Sequence, residues 1–247
     1  MAKSKKKFVT RAPKNISKQK TIAKTDKLVK RIGELQNLLF AESKHSLLIV
    51  LQGMDASGKD GTVKSVFRDV NPSGCRIVSF KKPSELEMKH DFLWRIHAQV
   101  PEKGMIHIFN RSHYEDVLIQ RVHKWVDEKT IKNRFEHINN FEKLLSSHNT
   151  VLLKFWLNVS KDKQLERLNE RMQDITKMWK YSADDMKERA LWNKYMKAYE
   201  DVVYHCNIIP WHIIPADQNW YKEYLVAETV CKAMENLKMQ FPGIAEE

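Results

Sequence analysis

Five short apolar runs alternate with longer segments in which apolar residues recur at helical spacing. The first run, SLLIVLQ at 46–52, is typical of a strand buried on both faces. Four similar runs lie at 75–80, 105–109, 150–157 and 207–214. Short apolar strands separated by helices predict a parallel sheet. We therefore expect an α/β fold, a three-layer sandwich with a five-stranded parallel sheet and helices on both of its faces.

Helical spacing fills the segments between these strands. From Thr25 onward, apolar residues such as Leu28 and Ile32 recur at helical intervals. Ser84 and Glu87 have the spacing of a capping box, which predicts a helix over 83–100. Further helices are predicted at 59–70, 114–123, 127–147, 161–173, 183–204 and 220–239.

The charge of the chain is concentrated at its N-terminus. Residues 1–31 hold ten lysines and two arginines against one acid, Asp26, and so carry +11 of the total net charge of +12. We expect 1–23 to be an extended basic arm and 24–247 to be a single domain. A basic arm favours a polyanion such as polyphosphate, nucleic acid or an anionic membrane, although a solvated terminus without a ligand explains the composition equally well.

Composition excludes several classes of protein. No run of eighteen apolar residues is present, so no membrane span is expected, and the basic N-terminus lacks the apolar core of a secretory signal. The three cysteines, Cys75, Cys206 and Cys231, form no C-x-x-C pair, and no zinc-binding spacing is present. We expect a protein of the reducing cytoplasm.

The segment GMDASGKDGT at 53–62 follows the first strand and matches the first seven positions of a Walker A loop. Its glycines allow backbone N–H groups to surround a phosphate, and Lys59 adds a mobile positive charge. The position after Lys59 should be Ser or Thr but is Asp60, and a second acid, Asp55, lies inside the loop. The predicted phosphate-binding residues are Gly53, Ala56, Ser57, Gly58, Lys59, Asp60, Gly61 and Thr62.

Acids in such a loop need a cation. A carboxylate about 4 Å from a phosphate charge is repelled by about 4 kcal/mol at an effective dielectric constant near 20. We therefore expect Asp55 to bind Mg²⁺, directly or through water. Asp60 either caps the following helix or turns outward, and it is left without a role.

A second candidate segment follows the third strand, where ligands bind in open α/β sheets. Arg111 is expected to stabilise a transferring phosphoryl group. Glu115 and Asp116 are candidates for metal or water contacts, although acids are also favoured at a helix N-terminus. Two further pairs of basic residues are candidates. Lys81 and Arg95 are expected to hold the acceptor's phosphates. Lys64 and Arg68 either line a polyphosphate channel or are plain surface residues.

Several separated motifs resemble the polyphosphate kinase 2 family. They are GMDASGKDGT, FNRSHYED at 109–116 and PWHIIPADQNW at 210–220, with FKKP at 80–83 and FLWR at 92–95. The similarity spans about residues 8–240. It implies a P-loop kinase-like fold and reversible, Mg²⁺-dependent transfer of a phosphoryl group between inorganic polyphosphate and a nucleotide, with Mn²⁺ as a candidate substitute.

The resemblance also implies finer detail. Asn110 replaces an aspartate found in many members, and with Glu115 it resembles the subgroup that accepts nucleoside mono- and diphosphates, here AMP and ADP, with GMP and GDP as further candidates. The loss of the acid at 110 leaves Asp55 as the favoured metal ligand, assisted by Glu115 or Asp116. A helical lid at about 167–190 would bring Arg171 to the phosphates. The residues expected to bind polyphosphate are Lys59, Lys64, Arg68 and Arg111. A homo-oligomer, dimer or tetramer, is also implied.

Two competing hypotheses remain from the sequence. An ATP-dependent nucleoside monophosphate kinase would share the loop and the lid, but it would use ATP rather than polyphosphate as donor. A nucleic-acid-binding module that uses a nucleotide as a switch would explain the basic arm. The sequence has no helix-turn-helix, RNA-recognition or zinc pattern, which argues against the second.

Overall fold

A single parallel sheet organises the computed structural model, which describes residues 8–244. Within that range the strand order is β2-β3-β1-β4-β5, and every neighbouring pair is parallel. The predicted α/β class and five-stranded parallel sheet are confirmed. The strands are β1 (Ser46–Gln52), β2 (Cys75–Ser79), β3 (Ile106–Asn110), β4 (Thr150–Asn158) and β5 (Trp211–Pro215).

Helices pack against the sheet in two groups. Helix α9 contacts α1 and α2, helix α8 contacts α4 and α5, and both α5 and α9 contact β4. The two groups and the sheet form three layers. The helices are α1 (Lys18–Glu42), α2 (Lys59–Val66), α3 (Trp94–His97), α4 (Ile119–Val122), α5 (Glu128–Ser147), α6 (Lys161–Gln173), α7 (Ala183–Ala190), α8 (Trp192–His205) and α9 (Asn219–Glu235).

The burial of the strands explains their sequence pattern. All seven residues of β1 are buried, because this strand lies between β3 and β4 and under helices. The edge strand β2 has three exposed positions out of five. A continuous apolar run is therefore confined to the strands with neighbours on both sides. No helix within residues 8–244 is long and apolar enough to cross a membrane.

The N-terminal segment differs from the expectation of an extended arm to residue 23. Helix α1 begins at Lys18, because Ser17 caps it by accepting a hydrogen bond from the N–H of Lys20. Upstream, Asn158 donates to the carbonyl of Val9, and the N–H of Asp217 donates to that of Thr10. These contacts fasten the described part of the arm to the body, whereas the lysines at 3–7 lie outside the described residues.

The predicted helix over 83–100 is wrong, although its capping box forms. The N–H of Ser84 donates to Glu87, and the N–H of Glu87 donates to the Ser84 hydroxyl. The capping box starts only a 3₁₀ turn, Glu87–Lys89, because His90 is extended. Asp91 then accepts from the N–H of Leu93, and the one-turn helix α3 follows separately.

Other predicted boundaries also shift. The helix expected over 114–123 is a 3₁₀ turn, His113–Asp116, followed by α4. The helix expected over 183–204 divides at Leu191 into α7 and α8. Strand β5 begins at Trp211 rather than at 207, immediately after Pro210, which has no N–H to donate to a neighbouring strand.

Candidate active site

The phosphate loop lies between β1 and α2, and two of its glycines have positive φ angles. Gly53 has φ +156°, and a Cβ there would lie 2.8 Å from the carbonyl oxygen of Leu157. Gly58 has φ +96°, and a Cβ there would lie 2.5 Å from Nζ of Lys222. The contact at Gly53 is with backbone and cannot be relieved by a side-chain movement, whereas Gly58 is favoured by its positive φ, because the Lys222 side chain could move aside.

Lys59 is buried and folds back over the loop. Its Nζ donates to the carbonyls of Gly53 at 2.7 Å and Met54 at 3.3 Å. Burial and the charge of Arg111, opposed by the charge of Asp55, lower the pKa of Lys59 to about 8. The ammonium is thus held by exchangeable backbone contacts at the centre of the loop.

Arg111 lies beside the loop because Leu51 and Asn110 are paired in the register of β1 and β3. Its φ is +65°, an uncommon left-handed conformation for a residue with a side chain. The guanidinium forms an ion pair with Asp55 and lies 3.8 Å from Glu115. Although burial lowers it, these two carboxylates raise the pKa of Arg111 overall. Strain of this kind persists where the surrounding structure holds the residue.

Glu115 and Asp116 have different surroundings. Burial raises the pKa of Glu115, and Arg111 and Lys59 oppose that rise. Burial also raises the pKa of Asp116, to about 6. One oxygen of Asp116 accepts from Gln120, whereas the other is buried and has no hydrogen-bond partner among the described residues.

These carboxylates fit a cation that is shared with a substrate. Residues 8–244 contain no group of three or more His, Cys, Asp or Glu side chains that could hold a metal by themselves. Mg²⁺ in phosphoryl-transfer sites usually needs only one or two carboxylates, because phosphates and water complete its coordination. Asp55 at the loop and the unpartnered oxygen of Asp116 supply ligands of that kind.

Asp60 connects three elements. It accepts from the amide of Asn110 at 2.7 Å and from Nζ of Lys180 at 2.7 Å. It makes no capping hydrogen bond, since the cap position of α2 is Gly58 and carries no side-chain cap. Of the two alternatives that the sequence left open, Asp60 turns outward.

The region predicted as a lid contains the end of α6, a short connecting segment and α7, and it brings two cations to the cleft. Arg171 on α6 donates to Asp185 on α7 at 2.8 Å. Lys180, between the two helices, reaches Asp60 of the loop. Burial and the charge of Asp55 raise the pKa of Asp185. Asp185 is absent from the sequence-based predictions because the sequence around it resembles any exposed helix start.

Two other cations hold the loop from its carbonyl side. Arg167 donates to the carbonyls of Ala56 at 3.0 Å and Ser57 at 3.1 Å. Lys222 on α9 donates to the carbonyl of Gly58 at 3.2 Å, and burial lowers its pKa to about 8. The sequence indicated Arg167 only as a neighbour of Arg171 on one helix face, and it gave no signal for Lys222.

A cleft of about 1100 Å³ joins most of the predicted residues. Arg95 lies in it and donates to the carbonyl of Lys81 at 2.8 Å, so it braces the segment that carries Lys81. The predicted residues that line the cleft are Asp55, Ala56, Ser57, Gly58, Lys59, Asp60, Gly61, Lys81, Arg95, Asn110, Arg111, Glu115, Asp116 and Arg171.

Four predicted residues lie outside the cleft lining. Gly53 and Thr62 support the loop, and the hydroxyl of Thr62 donates to the carbonyl of Gly58. Lys64 lies on α2 and Arg68 lies in the turn after it, where Arg68 pairs with Asp26 of α1 at 2.6 Å. Two exposed tryptophans that the sequence did not single out, Trp125 and Trp179, line the cleft as well.

Comparison with known proteins covers nearly the whole chain. The family model described as polyphosphate kinase 2 matches residues 15–242. An "AMP/ADP-polyphosphate phosphotransferase" of Meiothermus ruber is 48% identical over 217 residues, which cover 87% of this chain and 81% of that protein. An "ADP-polyphosphate phosphotransferase" of Rhodopseudomonas palustris is 40% identical over 228 residues, covering 87% of this chain and 79% of that protein.

A solved structure has the same fold. The crystal structure of polyphosphate kinase 2 from Arthrobacter aurescens superimposes with a TM-score of 0.90 at 37% sequence identity. The match covers 98% of this chain and 95% of that one. The similarity therefore includes the lid as well as the sheet.

Proposed function

We propose that this chain, which belongs to the polyphosphate kinase 2 family, transfers the terminal phosphoryl group of inorganic polyphosphate to ADP and AMP. The observation that carries this proposal is the placement of four cations from three parts of the chain around one cleft. Lys59 comes from the loop, Arg111 from the end of β3, and Arg171 and Lys180 from the lid. Such a cluster suits a substrate made only of phosphates.

The reaction needs no nucleophile from the protein. An oxygen of the acceptor's terminal phosphate attacks the terminal phosphorus of polyphosphate, and a new P–O bond forms. The bridging P–O bond to the next phosphate breaks, and the shortened polyphosphate keeps the electron pair. ADP becomes ATP, AMP becomes ADP, and the reverse steps return phosphate to the polymer. Positioning and charge neutralisation supply most of the catalysis.

Each cation has a separate task in this scheme. The loop N–H groups and Lys59 hold the donor's terminal phosphates, in the manner of other P-loops. Arg111 faces the transferring group and stabilises its charge. Arg171 and Lys180 close over the chain from the lid and exclude water, which would otherwise compete as an acceptor.

We assign the metal to Mg²⁺, with Mn²⁺ as a substitute, held by Asp55 and Asp116. When bound, the ion would neutralise part of the negative charge of the phosphates. Asp55 has a further task, because it keeps Arg111 in place through their ion pair. Glu115 lies 3.8 Å from the same guanidinium and supports that orientation.

The acceptor's phosphates lie, in this proposal, beside Lys81, Arg95 and Asn110, which line the same cleft. Acceptance of both AMP and ADP is supported by the relative from Meiothermus ruber, whose name includes both nucleotides. The cytoplasmic location, the homo-oligomer and the use of guanine nucleotides remain predictions from the sequence.

The donor decides between this proposal and an ATP-dependent nucleoside monophosphate kinase. Purified protein is incubated with Mg²⁺, long-chain polyphosphate and either ADP or AMP, with no other phosphoryl source. ATP from ADP, and ADP from AMP, are the expected products. A protein that phosphorylates AMP with ATP but makes no product from polyphosphate would support the rival kinase.

A further inference from the structure

A buried charged cluster lies directly beneath the turn that carries Arg111 and Glu115. We infer that this cluster, formed by Tyr114, Glu142 and Lys154, is a positioning device for the two residues above it. The inference rests on the proposed function, because Arg111 and Glu115 act in that reaction. We call the three side chains the buried anchor.

The polar groups of the buried anchor are hydrogen-bonded to one another. Tyr114 donates through its hydroxyl to one oxygen of Glu142 at 2.6 Å. Nζ of Lys154 donates to the other oxygen of Glu142 at 2.6 Å, to the hydroxyl of Tyr114 at 2.9 Å and to the carbonyl of Cys206 at 2.9 Å. All three anchor side chains are fully buried. Every donor of the ammonium is therefore used, and one of its contacts is the tyrosine hydroxyl.

The elements that supply the buried anchor explain its rigidity. Lys154 lies in the middle of β4 and is paired with Val50 of β1, two residues before the end of that strand. Glu142 comes from α5, and Cys206 ends α8. Tyr114 alone comes from a short 3₁₀ turn. The anchor thus joins a short 3₁₀ turn to a central strand of the sheet.

Tyr114 is well placed to hold the turn that carries Arg111 and Glu115. It lies between Arg111 and Glu115 in the chain, and its hydroxyl links the turn to Lys154 in the middle of the sheet, beside the contacts that Gln52, Asp55, Gln120 and Arg134 make with other residues of the turn. Ser112 accepts from the N–H of Tyr114, and Gln52 hydrogen-bonds to the hydroxyl of Ser112 at 3.0 Å. Arg111 keeps its left-handed backbone only while such contacts hold the turn.

Stability alone does not explain a buried ion pair at this place. Replacing a buried pair with apolar side chains of similar volume is often neutral or stabilising, because both charges lose their hydration when buried. An apolar cluster would fill the same space, but it could not form a directional bond to the turn. The guanidinium of Arg111 must be held in a fixed orientation in order to contact the phosphoryl group.

The nearby His113 does not take over this task. It is buried, and both of its ring nitrogens lack a hydrogen-bond partner among the described residues. Its Nε2 lies 3.5 Å from Glu142, and burial lowers the pKa of the imidazole. His113 therefore packs beside the buried anchor as a neutral ring, and the directional bond to the turn is that of Tyr114.

Two variants separate positioning from folding. Tyr114→Phe removes the hydroxyl and leaves the Lys154–Glu142 pair. Tyr224→Phe is the matched control, because it removes another tyrosine–glutamate hydrogen bond of 2.6 Å, to Glu228 on α9. Tyr114→Phe should lower kcat of polyphosphate-dependent ATP formation about 10- to 100-fold, with KM for ADP and polyphosphate within about twofold, because a small displacement of a catalytic group slows the reaction step. Tyr224→Phe should keep the kcat of the wild type.

A double variant tests the direction of the bond. Glu142→Gln with Lys154→Met removes both charges but leaves an amide oxygen that accepts from Tyr114, so kcat should stay within about threefold of the wild type. The inference is overturned if Tyr114→Phe keeps wild-type kcat, or if the folded double variant loses as much kcat as Tyr114→Phe.

A measurement without turnover keeps the test independent of the proposed function. Amide hydrogen exchange of the peptide that covers 110–117 should be faster in Tyr114→Phe than in the wild type, and unchanged in Tyr224→Phe. A wild-type protein that makes no ATP from polyphosphate would remove the proposed function, yet this exchange would still report on the anchor. Equal exchange in all three proteins would contradict the anchor itself.

Discussion

Two groups of cations surround the phosphate loop, and they differ in their partners. The cleft cations, Arg111, Arg171 and Lys180, are each paired with a carboxylate, respectively Asp55, Asp185 and Asp60. The loop cations, Arg167 and Lys222, instead donate chiefly to backbone carbonyls of the loop and of the chain beside it.

This difference separates substrate binding from support. A carboxylate partner can be exchanged for a phosphate oxygen, because both are anions and the carboxylate can turn to a metal or to water. The carbonyls of the loop cannot turn away in this manner, and Arg167 and Lys222, unlike Lys59, reach them from other helices and so join the loop to α6 and α9. We therefore propose that the cleft cations bind polyphosphate, whereas the loop cations fix the backbone that receives it.

Removal of a cleft cation should affect catalysis far more than folding. Arg111→Ala is expected to lower kcat about 1000-fold, because arginines that stabilise a transferring phosphoryl group have effects of that order. The unfolding temperature should change little, since the Arg111–Asp55 pair is partly exposed. Initial rates and thermal unfolding of the purified variant measure both effects. A rate within tenfold of the wild type would remove Arg111 from its assigned role.

An arginine-to-lysine substitution should reduce stability in the loop cations but affect substrate binding in the cleft cations. Arg167→Lys should destabilise the protein by about 1–3 kcal/mol, because lysine cannot reach all the carbonyls that the planar guanidinium serves. Arg171→Lys, its matched control four residues along the same helix, should leave stability unchanged and raise the KM for polyphosphate. Urea unfolding of the two variants makes the comparison. Equal stabilities would erase the distinction between the loop and cleft cations.

The sequence predicted the loop well and its supports poorly, for a physical reason. The strand, the glycines and Lys59 lie within seventeen consecutive residues, so local pattern determines them. Lys222 and Gly58 are 164 residues apart in the sequence, and Arg167 and Ala56 are 111 apart. Contacts between such distant residues cannot be predicted from the local pattern of one sequence. The capping box at Ser84 shows that a local motif can also mislead, because the motif forms but the long helix that it predicts does not.

Lys59 should make substrate binding depend on pH. Burial lowers its pKa to about 8 in the free protein, so the ammonium is present below that pH and is lost above it. The value of kcat/KM for polyphosphate should therefore fall by up to about tenfold per unit above pH 8, since this parameter reports ionisations of the free enzyme. A profile of kcat/KM from pH 6.5 to 10, at constant ionic strength, measures it. A flat profile through pH 9 would contradict the low pKa.

The smallest effect is expected at Asp60. Its pair with Lys180 is largely exposed and should be weak and sensitive to salt. Asp60→Asn should change kcat by less than about threefold and should lower the KM for polyphosphate, because Lys180 loses its competing anion. Steady-state kinetics at low and high salt test this. A loss of activity as large as that of Arg111→Ala would make Asp60 a metal ligand instead.

The exchange of partners at Asp55 is the centre of this account, and polyphosphate binding to Asp55→Asn tests it most directly. Affinity is measured by calorimetry for the wild type and the variant, each with EDTA and with Mg²⁺. Without metal, the variant should bind polyphosphate more tightly than the wild type, by about threefold to tenfold, because Arg111 is released and a repelling charge is gone. With Mg²⁺, the wild type should gain affinity and the variant should gain little. An equal gain from Mg²⁺ in both proteins would contradict the role of Asp55.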